Sequence, residues 1–201
     1  MKRRLWLTAL ALCAMTLFSA CAVLTSPKTD GSVSAAYANI LTGPSYYLKF
    51  TADALVNGEI KRVEYEYARR GDDAAQRGGV SPRQLGMVKD SAAYLVDYDA
   101  RTVTEYQQPM TPGYSAAFNF KGLAYTGYGS ATDGKTSYSY DEYTTDAGQN
   151  VRFCFDKGKL VGMQFLSGGA VAKAIAIETL SAQIPDYMFA IPSDFSQMEG
   201  D

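Results

Sequence analysis

Residues 60–70 read Ile-Lys-Arg-Val-Glu-Tyr-Glu-Tyr-Ala-Arg-Arg, and this stretch decides the class of fold. Val63, Tyr65 and Tyr67 occupy alternate positions, with a glutamate between each neighbouring pair. Successive side chains of a β-strand point to opposite faces, so a period of two predicts a strand that buries one face. The Asn57-Gly58 pair that precedes the stretch is a strong signal for a hairpin turn.

Turn signals recur along the rest of the chain and separate short alternating segments. The turn pairs are Asn57-Gly58, Asp99-Ala100, Asp133-Gly134, Ala147-Gly148, Lys157-Gly158 and Gly168-Gly169. They delimit about ten predicted strands: Tyr46–Thr51, Ile60–Arg70, Gln84–Lys89, Ala92–Asp97, Thr102–Tyr106, Leu123–Ser130, Thr136–Thr144, Val151–Phe155, Leu160–Leu166 and Val171–Ser181. Ala35–Leu41 is predicted to form one or two helical turns, and Gly71–Gly79 a mobile hairpin loop. The pattern predicts a mainly β fold whose antiparallel sheet closes or curls.

Composition excludes several classes of function. The 201 residues contain 19 Lys+Arg, 21 Asp+Glu and no histidine, which gives a formal net charge of −2. Without histidine, Ser-His-Asp and Cys-His catalysis are excluded, and the commonest metal ligand is missing. The charge balance argues against nucleic acid as a partner. We expect a protein that is not an enzyme and has no cofactor, with a carboxylate-based hydrolase as the remaining enzymatic alternative.

The N-terminus has the features of an export signal. Lys2–Arg4 is positively charged, Leu5–Phe18 is apolar and uncharged, and Ser19-Ala20 places small residues directly before Cys21. A cysteine in that position is typical of bacterial lipoproteins, in which its thiol is acylated. The prediction is therefore a lipoprotein signal peptide over 1–20, a lipidated tether over 21–34 and a single β-rich domain over 35–201. The alternative is that Leu5–Leu24, twenty residues without a charge, forms an uncleaved transmembrane anchor.

Two motifs resemble binding sites, but the residues around them do not fit the structures that such sites require. Gly129–Thr136 matches the P-loop pattern, but strict alternation follows it where the motif requires a helix, so we expect a hairpin turn. Asp97 and Asp99 lack the spacing of a calcium loop and are interpreted as a solvated turn. Cys154 lies within a predicted strand and is interpreted as a buried, inert thiol rather than a reactive one.

The aromatic content indicates what the sheet could bind. The chain has 15 Tyr and 9 Phe, and its one Trp lies in the signal segment. Alternation places several apolar residues on shared strand faces, where they would line either a ligand cleft or a plain core. The candidate ligand-binding residues are Val63, Tyr65, Tyr67, Phe153, Phe155, Met163, Phe165, Ile175 and Ile177.

Two segments of the body carry a family resemblance. Tyr46–Phe50 with Val63–Asp72, followed by Val88–Asp90 and Tyr94–Asp97, resembles the opening strands of LolA-like and LppX-like exported lipoproteins. The closing stretch Ile184–Phe195 is similar to the end of the same group. The resemblance implies a half-open β-barrel, a curled sheet around a hydrophobic cleft plugged in part by helices, although few short helices are predicted here. Family members bind acyl chains of lipoproteins or glycolipids, or have no known activity.

These observations predict an exported lipoprotein, anchored to the cell membrane or outer membrane through acylated Cys21. Its expected activity is non-enzymatic binding of a lipid or other hydrophobic ligand in a cleft of the sheet. The alternative is a cell-surface protein-interaction or envelope scaffold module that has no ligand cavity. Large exposed apolar patches without a cavity would favour that alternative.

Overall fold

The computed structural model describes residues 32–107, 114, 117–133 and 136–200. Helix α1 spans Ser32–Thr42, and a single 3-10 turn spans Asp186–Phe189. The strands are β1 (Ser45–Val56), β2 (Glu59–Arg70), β3 (Asp73–Gly78), β4 (Ser81–Lys89), β5 (Ala92–Asp97), β6 (Thr102–Tyr106), β7 (Ala124–Asp133), β8 (Thr136–Thr144), β9 (Asn150–Asp156), β10 (Lys159–Ser167), β11 (Ala170–Ser181) and β12 (Ser196–Gly200).

All twelve strands form one sheet, in the order β12-β6-β5-β4-β3-β2-β1-β11-β10-β9-β8-β7. Neighbouring strands are antiparallel except β12 and β6, which are parallel. Strands β7 and β12 are the two edges and do not pair with each other, so the sheet is curled and unclosed. This confirms the predicted fold class, a mainly β protein with an antiparallel-rich sheet and few helices.

The front face of the sheet is the face covered by α1 and by the plug, which we define as Tyr114 together with residues 117–123. Alternate residues of the central strands point to this face, as the period of two requires. Its core contains Leu48 and Phe50 of β1, both without exposed surface, and buried residues of strands β2 and β8–β11. The described plug aromatic residues belong to the same core.

The back face carries a second core, formed by strands β1–β6 and the C-terminal segment. Tyr47 of β1, Leu85 and Met87 of β4 and Val96 of β5 are buried there. Met188 and Phe189 of the 3-10 turn cover them. The chain therefore returns across the back of the sheet before β12 joins the edge at β6, and each half of the sheet is buried on a different side.

The structure corrects the number of strands from ten to twelve. The predicted mobile loop Gly71–Gly79 is wrong, because Asp73–Gly78 forms β3 and pairs with both β2 and β4. Ala74 and Ala75 are buried on opposite faces of β3, so the segment is a central strand with small side chains. The other missed strand is β12, whose partner β6 lies far away in sequence.

The predicted signal peptide, Cys21 and most of the tether lie outside the described residues. The first described element, α1, begins at Ser32, three residues before the predicted start of the β-rich domain. Among the residues that the structure describes, no helix is long and apolar enough to cross a membrane.

Candidate functional site

The nine predicted ligand-binding residues come together on the front face. They belong to β2, β9, β10 and β11, and all nine contribute to the front core. Seven are buried, while Val63 and Ile177 are partly buried and pack against the others. Cross-strand pairing explains the convergence, since Met163 lies opposite both Phe153 of β9 and Ile175 of β11. Whether these residues bind a ligand remains a prediction.

The plug fills the space that these residues would offer to a ligand. Phe118 has no exposed surface, and its ring stacks on Tyr114 at 5.2 Å and on Phe120 at 5.9 Å between centroids. It also meets Phe50 of β1 edge-on at 5.3 Å and Tyr67 of β2 at 5.0 Å. Aromatic residues of the plug and of strands β1 and β2 thus fill the centre of the front face.

Among the residues that the structure describes, few backbone bonds hold the plug. The Phe118 N–H donates to the Tyr114 carbonyl within the plug itself, at 2.9 Å. Outside it, the Tyr46 hydroxyl donates to the Phe118 carbonyl at 2.7 Å, and the Tyr114 N–H donates to the Gln76 side chain at 2.9 Å. One main-chain bond joins it to the β8–β9 turn, from the Asp146 N–H to the Lys121 carbonyl at 3.0 Å. The plug is therefore held chiefly by side-chain packing.

Helix α1 is fastened to the same face by a buried polar cluster. The Ser34 hydroxyl donates to the Asp141 carboxylate at 2.5 Å and lies 2.6 Å from the Tyr143 hydroxyl. Ser34 and Asp141 have no exposed surface. Burial raises the pKa of Tyr143; the Ser34 hydrogen bond opposes this shift, and the Asp141 charge adds to it. One turn further along, the Tyr37 ring lies 6.0 Å from that of Phe155.

One opening next to the front core is small. A cavity of about 110 Å³ lies where the end of α1 meets the plug, and its wall includes Leu41, Gly43, Phe120 and Lys121. At the other end of the plug, the Lys173 ammonium lies 3.5 Å from the centroid of the Tyr114 ring. Burial lowers the pKa of Lys173. Lys121 and Arg69 therefore lie at one end of the plug and Lys173 at the other, with the apolar centre of the front face between them.

The motifs outside the front core are structural. In Gly129–Thr136, Asp133 pairs directly with Thr136, so the P-loop match spans a β7–β8 hairpin, as predicted. The Asp97 carboxylate accepts the N–H groups of Asp99 and Ala100, which confirms the predicted turn. Both bonds lower the pKa of Asp97, and the bond from Ala100 has the largest effect. The described residues contain no cluster of three or more His, Cys, Asp or Glu side chains that could hold a metal ion.

Cys154 is buried in β9, which confirms the predicted burial of its thiol. Burial raises its pKa to about 12, although the neighbouring Arg152 opposes this shift. A thiol that is neutral and buried at physiological pH is a poor nucleophile.

No protein-family model and no curated protein matches this chain. Among solved structures, an uncharacterized conserved protein from Thermus thermophilus aligns with a TM-score of 0.42 and 8% identity, over 83% of this chain and 99% of its own. A LolA superfamily protein from Nitrosomonas europaea aligns with a TM-score of 0.39 and 13% identity, over 81% and 98%. PNGF-II aligns with a TM-score of 0.32 and 6% identity over 79% of this chain, which spans only 31% of PNGF-II.

Proposed function

We propose that this protein is an exported lipoprotein that binds a lipid or another hydrophobic ligand on its front face, in place of the plug. The observation that carries this proposal is the composition of the front core. Apolar strand residues meet there under a segment that belongs to no strand, with Phe118 at its centre. An acyl chain would give the strand residues the same apolar contacts that the plug now provides.

The plug is held chiefly by apolar side-chain contacts, which supports the proposal that a ligand displaces it. Each fully buried Phe contributes about 1.5–3 kcal/mol through its apolar surface, and an acyl chain contributes about 0.8 kcal/mol per buried CH₂. A chain of several methylenes therefore replaces the apolar contribution of Phe118 and Phe120. A strand could not be exchanged in this way, because its ladder of backbone hydrogen bonds would be lost.

The position of α1 fits attachment at a membrane surface. Ser34 is fixed against β8 and lies only thirteen positions after Cys21 in the sequence. A chain of that length spans at most about 45 Å, so a lipid anchor at Cys21 would hold the folded body close to the bilayer. Two or more acyl chains would make that attachment stable. A carrier held in this way would exchange its ligand with the membrane.

The first test is native mass spectrometry. Residues 22–201 contain every described helix, strand and core residue, so a chain that begins at Ala22 keeps the described fold. It is exported to a bacterial periplasm, purified without detergent and extracted with organic solvent. We expect a discrete lipid mass that is lost on denaturation. A ligand-free mass, together with no uptake of a fluorescent fatty acid, would reject the carrier.

A matched pair of variants locates the site. Phe118 and Phe189 are both buried phenylalanines, but the first lies in the front core and the second in the back core. We expect Phe118→Ala to open the front face and increase fatty acid uptake, and Phe189→Ala to leave uptake unchanged. Tyr65→Asp and Phe165→Asp place a charge on the ligand-binding face and should abolish uptake. Equal effects of the two alanine variants would contradict a front-face site.

One observation favours the interaction module as a second candidate. The edge strand β7 is ten residues long, pairs with β8 alone among the described strands and has no charge between Ala124 and Thr132. Tyr125 and Tyr128 on this strand are exposed. Edge strands usually carry charges or prolines that prevent pairing with another chain, and the first nine residues of β7, Ala124–Thr132, have neither. Replacing Thr126 and Ser130 by Lys should then abolish partner binding without changing ligand uptake.

A further inference from the structure

We infer that the ligand carries a negatively charged headgroup, and that Lys173 binds this headgroup at the rim of the front face. The inference rests on the proposed function, and it narrows the ligand from any hydrophobic molecule to an amphiphile with an acyl chain and an anionic end. The observations that carry it are the position of Lys173, the absence of a carboxylate partner for it among the described residues and its contact with the plug.

Lys173 points toward the ligand-binding face. It lies opposite Phe165 in the β10–β11 ladder and two residues before Ile175, so its side chain shares the face of these two core residues. Strand β1 pairs with β11 only as far as Ala52 and Ile175. Position 173 therefore lies just beyond this pairing, where a long side chain can reach both the apolar centre and the solvent.

The pairing of Lys173 differs from that of the other half-buried cations. Lys49, Arg77 and Arg152 form ion pairs with glutamates, and Arg69 and Lys89 donate to main-chain carbonyls. Within the described part of the chain, Lys173 has no carboxylate within 4.0 Å and no hydrogen-bond acceptor. Its contact is instead the Tyr114 ring, at 3.5 Å.

Burial removes water from an ammonium group, and contact with the face of an aromatic ring replaces this hydration only in part. Burial lowers the pKa of Lys173, as expected of a cation without an anionic partner. The ring also belongs to the plug, so a ligand that displaces Tyr114 removes the contact of Lys173 with its cation–π partner. An anionic headgroup would then supply the missing charge, while its acyl chain takes the place of Phe118 and Phe120.

The Asp141 carboxylate of the front core does not pair with Lys173. Asp141 is held by Ser34 and lies on β8, three strands away from β11 in the sheet. At the opposite end of the plug, Lys121 is exposed and lines the small cavity beside α1. Lys121 is thus a control for the loss of a positive charge, since it is an exposed lysine of the plug and not a half-buried lysine of the sheet.

The test compares ligands that share one chain and differ in charge. Binding of dodecanoate, dodecyl phosphate, dodecanol and acetate to residues 22–201 is measured by titration calorimetry. We expect both long-chain anions to bind about tenfold more tightly than dodecanol, since a hydrogen bond to a charged group is worth at least this factor. Acetate should not bind, because it lacks the chain. The ratio between dodecanoate and dodecyl phosphate distinguishes a carboxylate from a phosphate headgroup.

Variants assign the preference to Lys173. Lys173→Met and Lys173→Gln should bind the anions no more tightly than dodecanol, with the affinity for dodecanol unchanged. Lys173→Arg and Lys121→Met should keep the tenfold preference. Circular dichroism confirms the fold of each variant, and using two neutral replacements keeps the test decisive if one of them fails to fold.

The remaining outcomes separate the two proposals. If wild-type protein binds dodecanol and the anions equally, the headgroup inference is wrong and the carrier function stands. The inference is also wrong if Lys173→Met keeps the preference or if Lys121→Met loses it. If none of the long-chain ligands binds, the carrier function itself is rejected, and the headgroup inference is rejected with it.

Discussion

The hydroxyl of Tyr46 donates a 2.7 Å hydrogen bond to the main-chain carbonyl of Phe118, a residue 72 positions later in the chain. Both residues are buried, and burial raises the pKa of Tyr46, so the phenol stays neutral and can donate. The bond joins the plug to β1, one of the two central strands of the sheet. It fixes the plug on the front face at the point where the plug packs most deeply.

Removing this hydroxyl should loosen the plug. Tyr46→Phe keeps the ring but takes the Tyr46 donor from the buried Phe118 carbonyl, which should reduce the free energy of unfolding by about 2 kcal/mol. Urea denaturation measures this change, and faster fatty acid uptake should accompany it. Tyr128→Phe removes an exposed hydroxyl and should change stability by less than about 0.5 kcal/mol. Equal losses in the two variants would contradict a specific role for the Tyr46 bond.

The Ser34 hydroxyl should contribute as much to the docking of α1 as the Tyr46 hydroxyl contributes to the docking of the plug. Ser34→Ala removes one donor from the fully buried Asp141 carboxylate, which should lower the free energy of unfolding by about 2 kcal/mol. Amide hydrogen exchange should rise first in α1, because this element loses its polar attachment to the sheet. Val33→Ala, at an exposed position of the same helix, is the control and should leave exchange unchanged. Unchanged exchange in Ser34→Ala would show that apolar packing alone docks the helix.

The sequence predicted most of the sheet because its hairpins are local. Asn57-Gly58 and Lys157-Gly158 form the turns of the β1–β2 and β9–β10 hairpins. Alternation within each strand then determines which side chains share a face. Strand β11, whose alanines would also suit a helix, was assigned by β-branched residues at alternate positions, among them Ile175 and Ile177.

The elements that the sequence did not predict are stabilised by contacts with other segments of the chain. Strand β3 has alanines on both faces and is buried only because β2 and β4 flank it. Strand β12 is mostly exposed, and the bond from the Ser196 N–H to the Arg101 carbonyl is where it joins the sheet. In the plug, Phe118 and Phe120 alternate with Asn119 and Lys121, but over four residues only, which is too short to identify a strand. Two phenylalanines between the predicted strands Thr102–Tyr106 and Leu123–Ser130 were the available signal for a buried segment.

A pair of glycines tests how closely β2 and β3 approach. Gly78 and Gly58 both have positive φ, at +97° and +82°. A Cβ on Gly78 would collide with the Glu64 carbonyl oxygen, whereas one on Gly58 would meet open space. We expect Gly58→Ala to reduce the free energy of unfolding by about 1 kcal/mol through backbone strain, and Gly78→Ala by about 3 kcal/mol. Thermal and urea denaturation measure both, and equal losses would contradict the close approach.

The thiol of Cys154 provides a probe of the intact sheet. Its pKa is raised from 9.0 to about 12, so its thiolate fraction at pH 8 is about 1,000-fold lower than in the unfolded chain. Because the folded value is the higher one, this group's contribution to stability is full below about pH 9 and declines as the pH rises toward 12. In residues 22–201, where Cys154 is the only cysteine, we expect a disulfide reagent at pH 8 to label it at least about 1,000-fold more slowly in native buffer than in 8 M urea. Cys154→Ala should remove labelling in both conditions, and rapid labelling of the native protein would show that β9 opens far more often than the rest of the sheet.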